Sequence, residues 1–204
     1  MTRQEDLDGA LRPPELTPGA RRILEVASEL FYRHGIHAVG VDAIAATSGI
    51  TKRTLYDRFG SKDRLVAAYL QARHQLWWNR MEHRVSTASQ SPVLALFDSY
   101  IEDSESTERG CAFLNAAAEL PDDHPGYRVI QAHKRAVLDR LVELLDSDPS
   151  EFRDAGSTAR EVYLLMEGAV AHRGIDGDDR LFRSAREMTE RLLRERRTSA
   201  TTDS

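Results

Sequence analysis

The segment from Val41 to Lys62 constrains this chain most. It reads as two short helices joined by a tight turn. Val41, Ile44 and Ala45 put apolar groups on one face of the first helix, and Ala45 is small enough for a second helix to approach closely. Ser48-Gly49 is turn chemistry, with glycine free to take positive φ. Thr51 can cap the second helix through its hydroxyl. Leu55 and Phe59 lie four apart as its inner stripe, and Gly60 stands where glycine usually ends a helix. The opposite side carries Arg53, Thr54, Tyr56 and Asp57, with Lys52 at the start. Lysine and arginine meet phosphates or guanine edges, threonine and tyrosine donate to phosphate oxygens, and a helix N-terminus favours an anion. The pattern points to a nucleic-acid surface. A helical hairpin whose exposed face is merely solvated is the alternative.

Ile44-Ala45, Gly49, the run Thr51-Lys-Arg-Thr-Leu-Tyr56 and the following Phe59-Gly60-Ser61-Lys62 make this stretch resemble the DNA-binding helix-turn-helix of the TetR family of bacterial transcriptional regulators. The resemblance implies an all-α fold of about nine helices. An N-terminal three-helix DNA-binding domain, residues 17–64, would precede a larger helical ligand-binding and dimerisation domain, residues 65–197. It implies DNA contacts from Arg21, Thr51, Lys52, Arg53, Thr54, Tyr56 and Lys62. Two positions depart from the family pattern. Gly40 stands at a helix N-cap where the family usually has Ser or Thr, and so offers no hydroxyl. Asp57 replaces an aromatic or neutral residue. Its carboxylate either reads a cytosine amino group or pairs with Arg53, and base preference stays open.

Charge is unevenly placed along the 204 residues. Between Thr17 and Arg64 eight Lys or Arg oppose five Asp or Glu, a local +3, which leaves −8 for the remainder of a chain with net charge −5. An acidic body with a mildly basic head fits DNA binding by the head alone. Affinity per head would be modest and strongly salt-dependent, so dimerisation would matter. No stretch approaches the roughly 18 uninterrupted apolar residues of a membrane span. The first residues have no apolar run behind them, so no signal peptide is expected. A single cysteine, Cys111, forbids an intrachain disulfide and fits a cytoplasmic protein.

Along the chain, residues 1–16 are polar with Pro13-Pro14 and are expected to be a disordered arm. Arg3 and Arg12 are its candidate DNA contacts. Thr17-Pro18 is a helix start, followed by Ile23, Leu24, Ala27, Leu30 and Phe31 at helical spacing up to Gly35. His34 and His37 are three apart without a third ligand nearby, so no metal is expected. Ser61 should cap a long helix to about Val85, roughly 35 Å over about 23 residues. Its first turn would belong to the head and its remainder to the body, as a rigid transmitter. Leu65, Val66, Tyr69, Leu70, Leu76, Trp77 and Met81 recur along it.

A polar break at 87–92 precedes a helix from Val93 to about Glu102, then a charged loop to Arg109. Gly110-Cys-Ala-Phe-Leu-Asn-Ala-Ala-Ala-Glu119 is similar to a run common in one branch of the family, where it marks a short helix between ligand body and DNA head. Cys111 reads as a packed small residue, with a thiol-sensing role as the alternative. Residues 126–146 form an amphipathic helix. The next is expected over 151–173, with a weak point at Gly156. A solvated loop at 174–179 and a last helix from 179 to about 196 follow, and residues 198–204 are a disordered tail. Alternation of β-branched residues is absent.

The resemblance implies that the last two helices pair with their symmetry mates, through Val162, Met166, Ala169, Leu181, Ala185, Met188 and Leu192. Intrachain core is the other account of the same stripe. Candidate ligand-pocket residues are Trp77, Phe97, Tyr100, Phe113, Tyr127, Tyr163 and Met166. Their mostly apolar, partly aromatic character suits a small hydrophobic effector, and ordinary core explains each singly. No cofactor is expected. Enzyme readings lack a constellation: there is no Gly-x-Ser-x-Gly, no phosphate-cradling glycine loop, no His-Glu-x-x-His, and no Glu three residues before any His. The expectation is a homodimeric, ligand-responsive regulator, a repressor on a palindromic double-stranded DNA operator. The alternative is a small-molecule binding module that no longer binds DNA.

Overall fold

The computed structural model describes residues 9–89, 91–105, 109–147, 152 and 154–197, the side chains of 102–105 excepted. Arg3, residues 106–108 of the charged loop and the tail from 198 lie outside the described residues. Among the described residues the secondary structure is helical apart from one isolated bridge, Phe152 to Arg197. Nine helices follow in order: α1 (Pro18–His34), α2 (Val41–Ser48), α3 (Lys52–Phe59), α4 (Lys62–Ser86), α5 (Pro92–Glu105), α6 (Ala112–Glu119), α7 (Pro125–Asp146), α8 (Ala155–Asp176) and α9 (Arg180–Arg196).

The chain divides into two compact units. One holds the described residues up to Trp78 together with 111–134; the other holds 79–110 and 135 onward. The division therefore falls later than residue 64. The physical reason is the core of the first unit, where Ile23, Phe31, Ile44, Leu55 and Phe59 share one buried cluster with Leu65, Tyr69 and Leu70 of α4, with Phe113, Ala116 and Leu120, and with Val129 and Ile130 of α7. The three-helix head does not close its own interior. Residues 9–16 also depart from the disordered arm expected there. Residues 9–11 make a helical turn, Leu11 and Leu16 pack against the cluster, and Gln71 Nε2 donates to the Ala10 carbonyl at 2.8 Å. Two leucines in a polar arm suffice to anchor it.

In the second unit α8 and α9 pack along each other, and both meet α5. Phe97 and Phe182 are fully buried, their rings edge to face at 4.9 Å. Arg186 grips Asp98 through two hydrogen bonds, 2.6 and 3.0 Å. Helix α8 starts at Ala155, later than expected, because Asp154 is its N-cap and accepts from the Ser157 N–H at 2.9 Å. It also runs on through Gly174 to Asp176. A Cβ on Gly110, whose φ is +68°, would stand 2.8 Å from the Gly174 Cα. Glycine at both positions allows that backbone contact, which compensates for the low helix propensity of Gly174.

Candidate nucleic-acid interface

The helix-turn-helix is built as its residues dictate. Gly49 ends α2 in the left-handed region at φ 70°, a conformation costly for any residue with a Cβ. Thr51 Oγ1 accepts from the Thr54 N–H at 3.2 Å and starts α3. Leu55 is fully buried and Phe59 nearly so, which turns the other face of α3 outward. Gly60, at φ 77°, ends the helix, and Ser61 Oγ accepts from the Arg64 N–H to start α4. Gly40 caps α2 without a side-chain bond.

On the outward face Arg53 is 91% exposed and Tyr56 45% exposed. Arg21, Thr51 and Lys52 are exposed and Thr54 is half-buried. Two carboxylates moderate the cations. Lys52 Nζ pairs with Asp42 of α2, and Asp57 lies 3.9 Å from Arg53. Of the two roles open to Asp57, the free chain places it with Arg53. Lys62 is held elsewhere: its ammonium donates to the Ile36 carbonyl at 2.7 Å and sits 6.0 Å from the centre of the Phe31 ring. It closes the loop between α1 and α2 from behind.

The ligand-pocket candidates distribute over both units. In the first, Trp77 and Phe113 are buried and meet at one residue absent from the sequence reading, His133. Phe113 stacks on the His133 ring at 3.8 Å and 11°, and Trp77 meets it edge-on at 5.3 Å. His133 Nδ1 is 3.0 Å from His74 Nδ1, so one imidazole donates to the other, and Trp78 lies 5.3 Å from His74. Burial pushes His74 down to about 4. Burial first, then the charges of Lys134, His74 and Arg73, hold His133 well below its ordinary value. Burial thus keeps both rings neutral at neutral pH, and the shared hydrogen bond requires that the accepting ring carry no proton on Nδ1. Tyr127 of this unit is half-buried. In the second unit Phe97, Tyr100 and Met166 are buried, Tyr163 is half-buried, and the Tyr100 hydroxyl donates to Glu167 at 3.2 Å. Cys111 is half-buried and has a basic neighbour that sequence could not place, Lys134 Nζ at 3.9 Å.

The dimer candidates separate by face. Val162, Met166, Ala169 and Ala185 are buried within the chain, so their side chains belong to intrachain core. The buried stripe of α9 is Phe182, Ala185, Thr189 and Leu193, one residue round from Leu181, Met188 and Leu192. Leu181 and Met188 are about half exposed and Leu164 is 70% exposed. Leu164, Leu165, Met188 and Leu192 line a groove of about 560 Å³, rimmed by Glu161, Arg191 and Glu195. Leu164 lies on the outer face of α8, away from the inner stripe that helical periodicity marks.

A helix-turn-helix with a polar, cationic outer face, joined to a helical body, is the architecture of a DNA-binding regulator. Residues 23–69 match the model of bacterial regulatory proteins of the tetR family, and residues 89–189 match the tetracyclin repressor-like C-terminal domain. The crystal structure of SCO4454, a TetR-family transcriptional regulator from Streptomyces coelicolor, is 32% identical. It covers 87% of this chain and 95% of its own, with a TM-score of 0.79. The transcriptional activator FasR of Mycolicibacterium smegmatis is 28% identical over 153 residues, 74% of this chain and 66% of that protein. The transcriptional repressor SCO4008 of Streptomyces coelicolor is 40% identical over 62 residues, 30% of this chain and 31% of that protein. The chain thus spans less than two thirds of the length of the curated relatives it matches. It belongs to the TetR family of transcriptional regulators. Among the described residues no helix is long and apolar enough to cross a membrane.

Proposed function

We propose that the protein is a cytoplasmic repressor that binds a palindromic operator as a homodimer and is released by a small hydrophobic effector. The outward face of α3, with Arg53 and Tyr56 in solvent and Lys52 at its N-terminus, is the observation that carries it. Residues 17–64 supply the DNA contacts, with Arg21, Thr51 and Thr54 joining Lys52, Arg53 and Tyr56. Lys62 acts by holding the loop at Ile36. A dimer presents two such helices to half-sites about one duplex turn, or a multiple, apart. The exposed leucines and Met188 beside the groove on α8 and α9 support self-association, because apolar surface of this kind on a charged helix pair asks for a partner. Repression is the simplest outcome of occupying a promoter, since exclusion of polymerase needs no activating surface. Buried aromatics in both units support an apolar effector, which would favour the conformation with heads misplaced for the operator. Such coupling is typically about 1–3 kcal/mol.

The test is a gel-shift titration with DNA from upstream of the protein's own gene. Lys52→Ala and Tyr56→Ala are each expected to weaken binding about tenfold, with thermal stability nearly unchanged because both side chains are exposed. Equal binding by both variants at physiological salt discards the assignment. The second reading, a binding module without DNA activity, has one observation in its favour: Asp42 and Asp57 already occupy Lys52 and Arg53. Failure of the wild type to shift any upstream fragment would select it.

A further inference from the structure

We propose that Glu119 is a positioning residue of the DNA-binding head, tying the loop before α2 to a helix whose other end rests on the buried imidazole pair. This inference builds on the DNA-binding reading of α3. Glu119 is the last residue of α6, far in sequence from the head, yet it bonds His37 twice. Its carboxylate Oε2 accepts from the His37 backbone N–H at 2.8 Å. Its own backbone carbonyl lies 2.6 Å from His37 Nε2. A carbonyl can only accept, so the His37 ring carries its proton on Nε2 and donates. The carboxylate also leans on Gly35, where a Cβ would stand 3.0 Å from Oε1, and Gly35 has φ +91°. Glycine there both ends α1 and makes room for the acid. The residue between, Ile36, gives its carbonyl to Lys62 of α4. Residues 35–37 of the loop are thus fastened from two helices, and after three further residues the chain enters α2.

The other end of α6 reaches the imidazole cluster. Phe113, the second residue of the helix, is the ring stacked on His133. Eight residues make a rod about 12 Å long, too short to bend appreciably. A displacement at Phe113 therefore moves Glu119, and Glu119 moves the loop that sets where α2 begins. Glu119 acts on the head rather than on DNA. It fixes the pose of the helices that touch DNA, and it makes the head sensitive to whatever disturbs His133 and His74.

The two tryptophans of the chain both lie against this pair, so their emission reports on it. The experiment titrates the full protein with a fluorescein-labelled upstream duplex, reading anisotropy for binding and tryptophan emission for the cluster. Wild type should bind and change its tryptophan emission. Glu119→Ala should bind about tenfold more weakly, the worth of one hydrogen bond to a charged acceptor, and at saturating duplex keep the emission of the free protein. Glu119→Gln, whose amide oxygen still accepts from His37, should restore both. The inference is overturned if Glu119→Ala binds within twofold of wild type, if it weakens binding yet keeps the tryptophan response, or if Gln fails to rescue. Should Glu119→Ala lose its helical circular dichroism, His37→Phe at an exposed position removes the ring donor alone and must abolish the same response. Wild-type binding with no emission change also overturns the coupling. No binding by wild type overturns the DNA-binding reading itself, and this inference with it.

Discussion

Mild acid should destabilise the protein before its carboxylates begin to titrate, and the His74–His133 pair sets the size of the loss. Burial holds His74 at about 4 against an ordinary value of 6.5, so the folded chain refuses a proton that the unfolded chain accepts. A base with a depressed folded pKa gives its full stabilisation above about pH 6.5 and loses it as pH falls toward 4. For one such group the loss between pH 7 and 5 is about 2 kcal/mol, or about 1–2 kcal/mol once residual water access is allowed for. His133 is depressed in the same direction by deeper burial and by the charges of Lys134, His74 and Arg73, so it adds a loss of the same sign. The His74 loss alone is a sizeable part of the roughly 5–15 kcal/mol of a typical fold, and His133 deepens it. The perturbation is the double substitution His74→Leu and His133→Leu, which removes both partners of the Nδ1–Nδ1 hydrogen bond together. Urea unfolding at pH 7 and pH 5, at fixed protein concentration and salt, reads the effect. The wild-type midpoint should fall by at least about 0.5 M, and the double variant's by less than half as much. Equal falls in the two proteins would refute the reasoning, since the shared carboxylates would then account for all of the acid sensitivity.

The remaining predictions concern surfaces. Asp42→Asn frees Lys52 from its ion pair. It should raise affinity for duplexes of any sequence a few-fold at low salt and steepen the log K against log salt line by up to about 0.9, the contribution of one added phosphate contact; an unchanged slope would make that pair incidental. Leu164→Glu places a charge among the apolar residues of the α8–α9 groove. In sedimentation equilibrium it should run at half the mass of the wild type, and equal masses would remove the groove from the proposed dimer.

What sequence could show depended on how far apart the interacting residues lie. The elements of the head were legible because each signal is local: Thr51 and Gly60 mark the ends of α3, and Leu55 with Phe59 fix which side faces inward. The start of α8 falls at Ala155 because Asp154 supplies the cap, a role its carboxylate in sequence does not announce. On α9 the stripe that packs within the chain could not be told from the one beside it. Leu181, Met188 and Leu192 repeat at helical spacing as well as Phe182, Thr189 and Leu193 do, and the buried Thr189 satisfies its hydroxyl on the Ala185 carbonyl, which lets a polar residue take a core position. The buried imidazole pair and the Glu119 grip on His37 were out of reach altogether, at separations of 59 and 82 residues. Histidine and glutamate look alike in sequence whether solvated or buried, and the neighbours decide which. Each of these unread contacts is polar, while the apolar pattern that predicted the helices is silent about polar partners. In this family member the fold was therefore written in short-range apolar spacing, and the proposed control of the head rests on long-range hydrogen bonds. Substitutions at His37, His74, Glu119 and His133 should consequently alter regulation while leaving helix content almost untouched, a separation that circular dichroism and duplex binding can measure on the same four variants.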